Sequence, residues 1–342
     1  MEYNGLLKFV QEHFTDGLAL VVGSGLSAAE GIPGMAALAI HLSDHASKLV
    51  GDDASCWTRV KRHLDDGAGL EAALLAHPPT VTVEEWIVRE TCNLLVPRER
   101  LVIGAVLRGE KSLQLTAFLR QILKPSNGLP ILTTNYDRLV ELACELAGYH
   151  VDCCTVGHYA GVFDHARSSM ASCRGIVTRG KTPILDHFPR AVVLKPHGSL
   201  DWYRFNNDVR RCAMDVEAER LIITPGLNKY RAGYESPFDK QRELANEHIN
   251  RSSRLLVVGY GFNDDHLQTH LVRKIASGAP TLVLARTASE KVTRLARESP
   301  RCVLIAECAG GPGIAVTTST GAFSHSGPAL WDLGTLTQEL LS

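Results

Sequence analysis

Four apolar runs in this chain each stop abruptly at glycine or at a short polar cluster: LALVVGSG (18–25), LPILTTNYD (129–137), AVVLKPHGS (191–199) and RLLVVGYGFNDD (254–265). They are too short to cross a membrane, and too continuously apolar for a strand with one wet face. Runs of this kind are strands covered on both sides, as in parallel sheets sandwiched by helices. APTLVLART (279–287) and RCVLIAE (301–307) add two more, separated by the helical pattern ASEKVTRLARES. Strands that alternate with helices in this way lead to an open sheet with crossover connections.

The expected fold class is therefore α/β, a Rossmann-like open parallel sheet with helices on both faces. Between the first and second strands, residues from about 35 to 123 carry helical patterns such as VEEWIVRETCNLLV and KSLQLTAFLRQIL and no strand of their own, so a helical module is expected there. At 342 residues and 45% hydrophobic content the chain supplies a substantial core. We read residues 1–342 as a single domain carrying this insertion. RSSMASCRGIVTRGKTP (167–183) has no clear periodicity and is expected to be a mobile loop; GGPGIAVTTSTGAFSHSGPA (310–329) is similarly broken before a short final helix.

Formal charge is −1, from 36 basic and 37 acidic residues, so no overall attraction to nucleic acid or an anionic membrane is expected. The stretch MEYNGLLKFVQEHF lacks an export pattern and no 18 apolar residues run together, so a cytoplasmic protein without a membrane segment is expected. Nine cysteines, an odd number with no C-x-x-C pair, imply reduced thiols and no cysteine zinc site. Small buried apolar positions account for them.

Chemistry concentrates where the four runs end. Gly23 and Gly25 lack Cβ atoms, which permits a tight turn and lets backbone amides approach a phosphate, with Ser24 and Ser27 adding hydroxyls; packing alone would also call for glycine here. In a parallel sheet, groups just beyond the carboxyl ends of strands line the ligand crevice, which places Asn135 and Asp137 there. A carboxamide suits a ribose hydroxyl or a water, whereas helix capping is the competing role, above all for Asp137. His197 follows the third run, and imidazole exchanges protons near neutral pH, so it is a candidate general base; Gly198 beside it permits close approach of another backbone or a ligand. Gly259 and Gly261 form a second glycine pair, with Asn263, Asp264 and Asp265 available to ribose hydroxyls or to cap the next helix. Asp264-Asp265-His266 lacks further ligands at metal spacing, so no metal site is expected.

Taken in order, G-x-G-x-S with G-I-P downstream, T-T-N-Y-D, K-P-H-G-S-L-D-W-Y and G-Y-G-F-N-D-D-H resemble the bacterial sirtuin-like family, which uses NAD, over about residues 18–276. LIITPGLNKY (221–230) resembles the subgroup that works beside a HerA-type hexameric ATPase in anti-phage defence. The resemblance implies that Gly23, Ser24, Gly25 and Ser27 meet the NAD diphosphate. It further implies that Asn135 and His197 act at the nicotinamide ribose, Asp137 meets the nicotinamide carboxamide, and Gly259, Gly261, Asn263 and Asp264 border the adenosine half. The four-cysteine zinc module of protein-deacylating sirtuins is missing, and Gly34-Met35-Ala36 stands where they continue with Asp-Phe-Arg. The expectation is thus an NAD glycohydrolase that uses NAD as substrate and needs no zinc. A non-catalytic scaffold that senses NAD or ADP-ribose, and a deacylase, are the alternatives. A homo-oligomer partnered by the ATPase is implied too, with the helical insertion and a segment at about 310–342 as assembly surfaces.

Overall fold

The computed structural model describes residues 3–125, 128–206, 208–226, 235–262, 265–309 and 311–341. Helix α1 (Tyr3–His13) precedes strand β1 (Leu18–Val22) and the short α2 (Ser24–Ala29). Helices α3 (Met35–His45), α4 (Gly51–Asp65), α5 (Leu70–Ala76), α6 (Val81–Leu107) and α7 (Gln114–Gln121) follow before β2 (Leu129–Thr133). Then come α8 (Leu139–Leu146), β3 (His150–Asp152), β4 (Thr155–Val156), β5 (Ala160–Phe163) and α9 (His165–Ala171). Strands β6 (Cys173–Arg179), β7 (Thr182–His187), β8 (Arg190–Leu194), β9 (Gly198–Phe205), β10 (Asp208–Cys212) and β11 (Glu219–Ile222) lead to α10 (Phe238–Arg251) and β12 (Arg254–Val258). The chain finishes with α11 (Asp265–Ala276), β13 (Thr281–Ala285), α12 (Glu290–Glu298), β14 (Cys302–Glu307), β15 (Ile314–Thr318), β16 (Gly321–His325) and α13 (Leu333–Leu340).

The main sheet is nine-stranded, in the order β16-β15-β14-β13-β12-β1-β2-β8-β3. From β14 through to β3 every pairing is parallel; β15 and β16 close the edge antiparallel. Alternation along each strand feeds two cores. Leu18, Leu20 and Val22 of β1 join Leu256 and Val258 of β12 against α1, α7, α8 and α13, whereas Ala19, Val21, Leu255 and Val257 face α10, α11 and α12 on the opposite side. The fold class expected from the sequence is the one observed, because strands buried on both faces must be apolar throughout.

The module between β1 and β2 is helical throughout and has a core of its own, including Leu42, Trp57, Val60, Leu74 and Trp86. Helix α6 belongs to both cores: Trp86 and Ile87 pack within the module, Cys92 and Leu95 against the sheet. One long helix therefore fixes the module over the carboxyl edge of the strands.

Two segments differ from the sequence reading. Residues 167–183, expected to be a mobile loop, form the end of α9 and most of the β6–β7 hairpin, whose Ile176 and Leu185 are exposed. A hairpin wet on both faces carries no alternation to detect. The broken stretch at 310–329 includes β15, paired antiparallel with β14, and β16, paired antiparallel with β15. A second sheet, in the order β11-β9-β10-β5-β4, was not foreseen at all. No helix among the described residues is long and apolar enough to cross a membrane.

Candidate functional site

The parallel order reverses between β1 and β12: the chain proceeds from β1 to β2 on one side and from β12 to β13 and β14 on the other. Loops leaving such a switch point diverge and open a crevice. Here the turns after β1 and β12 lie against each other with almost no space. A Cβ on Gly23 would stand 2.4 Å from the Gly259 oxygen, one on Gly25 2.7 Å from Gly259 Cα, and one on Gly259 2.6 Å from the Leu26 nitrogen. Gly259 also has φ of +59°, a conformation glycine adopts without strain.

The amides of these glycines are engaged within the protein. Gly23 donates to the Val258 carbonyl at 2.9 Å and Gly25 to the Gly259 carbonyl at 3.0 Å. The sequence reading had those amides approaching a phosphate; here they are satisfied by backbone carbonyls, and Gly23, Gly25 and Gly259 join two turns in close contact. Ser24, Ser27 and Gly261 do line the cleft, together with Asn135, Asp137 and His197. Asn263 and Asp264 lie outside the described residues.

The cleft has a volume of about 210 Å³. Its wall includes Pro33, Gly34, Met35 and Leu38 from the start of the module, and Glu71, Thr91 and Leu95 from α5 and α6. A larger hollow of about 500 Å³, beside Gly17, Gly128 and Arg190, opens at the opposite, amino-terminal edge of the strands and contains none of the motif residues.

Asn135 is buried, and its side-chain nitrogen donates to the Gly23 carbonyl at 2.9 Å and to Ser27 Oγ at 2.8 Å. A carbonyl only accepts, so this contact fixes which end of the amide is nitrogen. Among the described residues no donor is recorded on Oδ1, the acceptor left to serve the cleft. Asp137, 2% exposed, accepts the Leu139 amide at 3.2 Å where α8 begins. The same carboxylate that holds the first amide of α8 also lines the cleft. Burial raises its pKa above the ordinary value, and the Lys195 ammonium and Ser27 hydroxyl offset this only in part. His197 is half-buried in the turn after β8; its carbonyl accepts from Ile223 at 2.8 Å, and Gly198 donates to the Lys195 carbonyl at 3.0 Å. A Cβ on Gly198 would meet the Leu221 carbonyl oxygen at 2.2 Å, so the close approach permitted there is to backbone.

Lys195 was quoted in its motif but given no role. It is 2% exposed, and Nζ donates to Glu141 Oε1 at 3.0 Å and to the backbone carbonyls of Tyr136 and Asp137. Burial alone would lower the Lys195 pKa; Glu141, Asp201 and Asp137 outweigh it and hold the group above its ordinary value. Asp201 is buried as well, yet its pKa is held down by Arg211, 2.7 Å away, and by Lys195. Ser199 Oγ and the Leu200 amide also reach the Tyr136 carbonyl, and Tyr136 Oη donates to Ile223 at 2.6 Å. The turn carrying Asn135 and Asp137 is thus clamped from below. A lysine closing the apolar run AVVL was the available signal, since an ammonium buried there needs carboxylates. The module's wall residues left no such trace.

Comparison with solved structures finds distant similarity. A Sir2 homologue in complex with NAD is 15% identical, with 89% of this chain and 88% of that chain covered and a TM-score of 0.42. A variant Sir2 homologue bound to ADP-ribose is 15% identical over 83% of this chain and 84% of that one, with a TM-score of 0.39. Sir2Tm bound to a propionylated peptide is 12% identical over 85% and 90%, also at 0.39. No curated protein sequence matches the chain. The SIR2-like domain family matches residues 130–300, half of the chain, a span that includes Asn135, Asp137, Lys195, His197 and both turns bordering the cleft on that side. By that match the chain belongs to the SIR2-like domain family.

Proposed function

We propose that this chain is an NAD glycohydrolase that cleaves the bond between nicotinamide and ribose to give nicotinamide and ADP-ribose. The observation that carries the reading is the convergence of Asn135 and His197 on one cleft, with the carboxamide nitrogen anchored and its oxygen left to accept. The cleft is smaller than the roughly 300–1,000 Å³ of typical small-molecule sites, which suits the nicotinamide-ribose end of a dinucleotide more than the whole of one. Ser24 and Gly261 would then face the diphosphate side of the dinucleotide.

Nicotinamide leaves from a cationic ring nitrogen and takes the bonding pair with it, so no acid is required. The ribose carbon becomes oxocarbenium-like, water adds to it, and the surplus proton must depart. Asn135 Oδ1 would accept a hydrogen bond from a ribose hydroxyl or the incoming water, and His197 would withdraw the proton. Asp137 would meet the nicotinamide carboxamide, while Leu38, Leu95 and Met35 exclude bulk water. The resemblance of LIITPGLNKY to the HerA-linked subgroup is what suggests a defence effector that would assemble with itself and with such an ATPase through the module and the segment at about 310–342. Residues 227–230 of that stretch lie outside the described residues.

Purified protein, alone and with a HerA-type ATPase, is incubated with NAD and the products are identified by mass. Nicotinamide and ADP-ribose should appear, and His197→Ala should lose about 10²- to 10⁴-fold in rate with its fold intact. Asn135→Ala should fall alongside it. NAD that binds and is recovered unchanged in every condition would favour a sensing scaffold instead.

A further inference from the structure

The helical module holds a cluster that the cleft does not use. His41 and His45 are four residues apart on α3 and so share one face, and Glu90 of α6 faces them. One ligand atom from each lies within 4.8 Å of both others. His45 Nδ1 is 2.8 Å from the His41 carbonyl oxygen. A carbonyl cannot donate, so Nδ1 carries the proton and, in the neutral ring, Nε2 keeps the lone pair with which an imidazole can bind a metal.

His41 Nε2 lies 3.3 Å from Glu90 Oε2. Without an ion this edge is a hydrogen bond donated by His41 Nε2. Two ligands bonded at about 2.0 Å to a tetrahedral ion stand roughly 3.3 Å apart, so an ion could replace that proton, released to water, with the edge kept at its present length. Glu90 is 2% exposed, and Lys48 holds its other oxygen, Oε1, at 3.2 Å. That is the arrangement of an outer-shell partner, which orients a carboxylate while leaving one oxygen for the ion. Asn93 approaches Oε2 at 3.4 Å, a long contact that a metal would displace.

We propose that His41, His45 and Glu90 bind a divalent transition metal of the zinc class, with a water completing the shell. Two imidazoles and one carboxylate favour this class over magnesium or calcium, which take oxygen ligands. The buried thiols Cys154 and Cys302 are poor competitors, since burial pushes both up to about 12. The ion would tie α3 to α6, and those helices supply Leu38, Thr91 and Leu95 to the cleft wall. Metal binding is read without any NAD assay, so it stands or falls separately from the proposed activity.

The test is titration of chelator-treated full-length protein with Co²⁺, followed by displacement with Zn²⁺. The expected result is one saturable equivalent with weak visible d–d bands, no intense thiolate-to-cobalt band in the near ultraviolet, and a higher melting temperature with Zn²⁺. His41→Gln/His45→Gln should weaken binding by at least roughly tenfold, and Lys48→Met, which removes no ligand, should weaken it less. The proposal is overturned if the wild-type protein shows no saturable binding, if its cobalt spectrum shows the thiolate band, or if the double variant binds as wild type. The spectrum is taken on the unaltered protein, so the outcome does not depend on any variant folding.

Discussion

Asn135 and Asp137 are separated by one residue yet do different work because their surroundings differ. The carboxamide is neutral and can be buried once both donors are matched, whereas the carboxylate keeps an electrostatic penalty even with a helix amide bound. His13 presents the same physics outside the site. It is 2% exposed, its Nε2 donates to the Leu255 carbonyl at 2.8 Å, and burial lowers its pKa to about 4. Above the ordinary value of 6.5 it is neutral whether folded or not. As pH falls toward 4 the unfolded chain takes up the proton first, so stability present above 6.5 is lost across that interval, up to roughly 3 kcal/mol. Denaturant unfolding at a series of pH values should show this decline, and His13→Gln should flatten it. At this scale the sequence disclosed the polar groups at the strand ends that border the cleft: Asn135, Asp137 and His197 stand where position marks them. The side chains of α3, α5 and α6 that close it were illegible, because their approach depends on how a helical module folds back across the sheet.

Among elements, the joint between β1 and β12 matters most. Gly23 has φ of −107°, which any residue adopts, so its requirement for hydrogen in place of a side chain comes only from the 2.4 Å approach to the neighbouring turn. Gly23→Ala should therefore cost about 1–3 kcal/mol through overpacking, measured by the urea midpoint. An unchanged midpoint would mean that the turns part freely. The apolar runs revealed the parallel strands because each had to be buried on both faces. The β6–β7 hairpin and the five-stranded sheet escaped notice for the opposite reason: their strands are short or wet, and β9 reads as the tail of a motif.

For the molecule as a whole, the question is what holds the module in place over the sheet. Glu99 of α6 is fully buried and accepts both from the Arg138 guanidinium, at 2.6 Å for Nη2, and from the Arg138 backbone amide at 2.6 Å. This pair joins the module to the residue that follows Asp137. Removing one partner of a buried pair leaves the other uncompensated, so Glu99→Ala should lose roughly 3 kcal/mol. Hydrogen exchange should rise first in α6 and at the start of α8; uniform exchange across the sheet would show that the module is anchored elsewhere. The order of strands also governs when the cleft can exist. Central strand β1 is synthesised before its partner β12, and the turn that interlocks with Gly23 and Gly25 comes from residues 254–262. A growing polypeptide on the ribosome consequently carries Asn135 and His197 for an interval without the second wall beside them, and the pocket matures only once residues 254–262 have emerged.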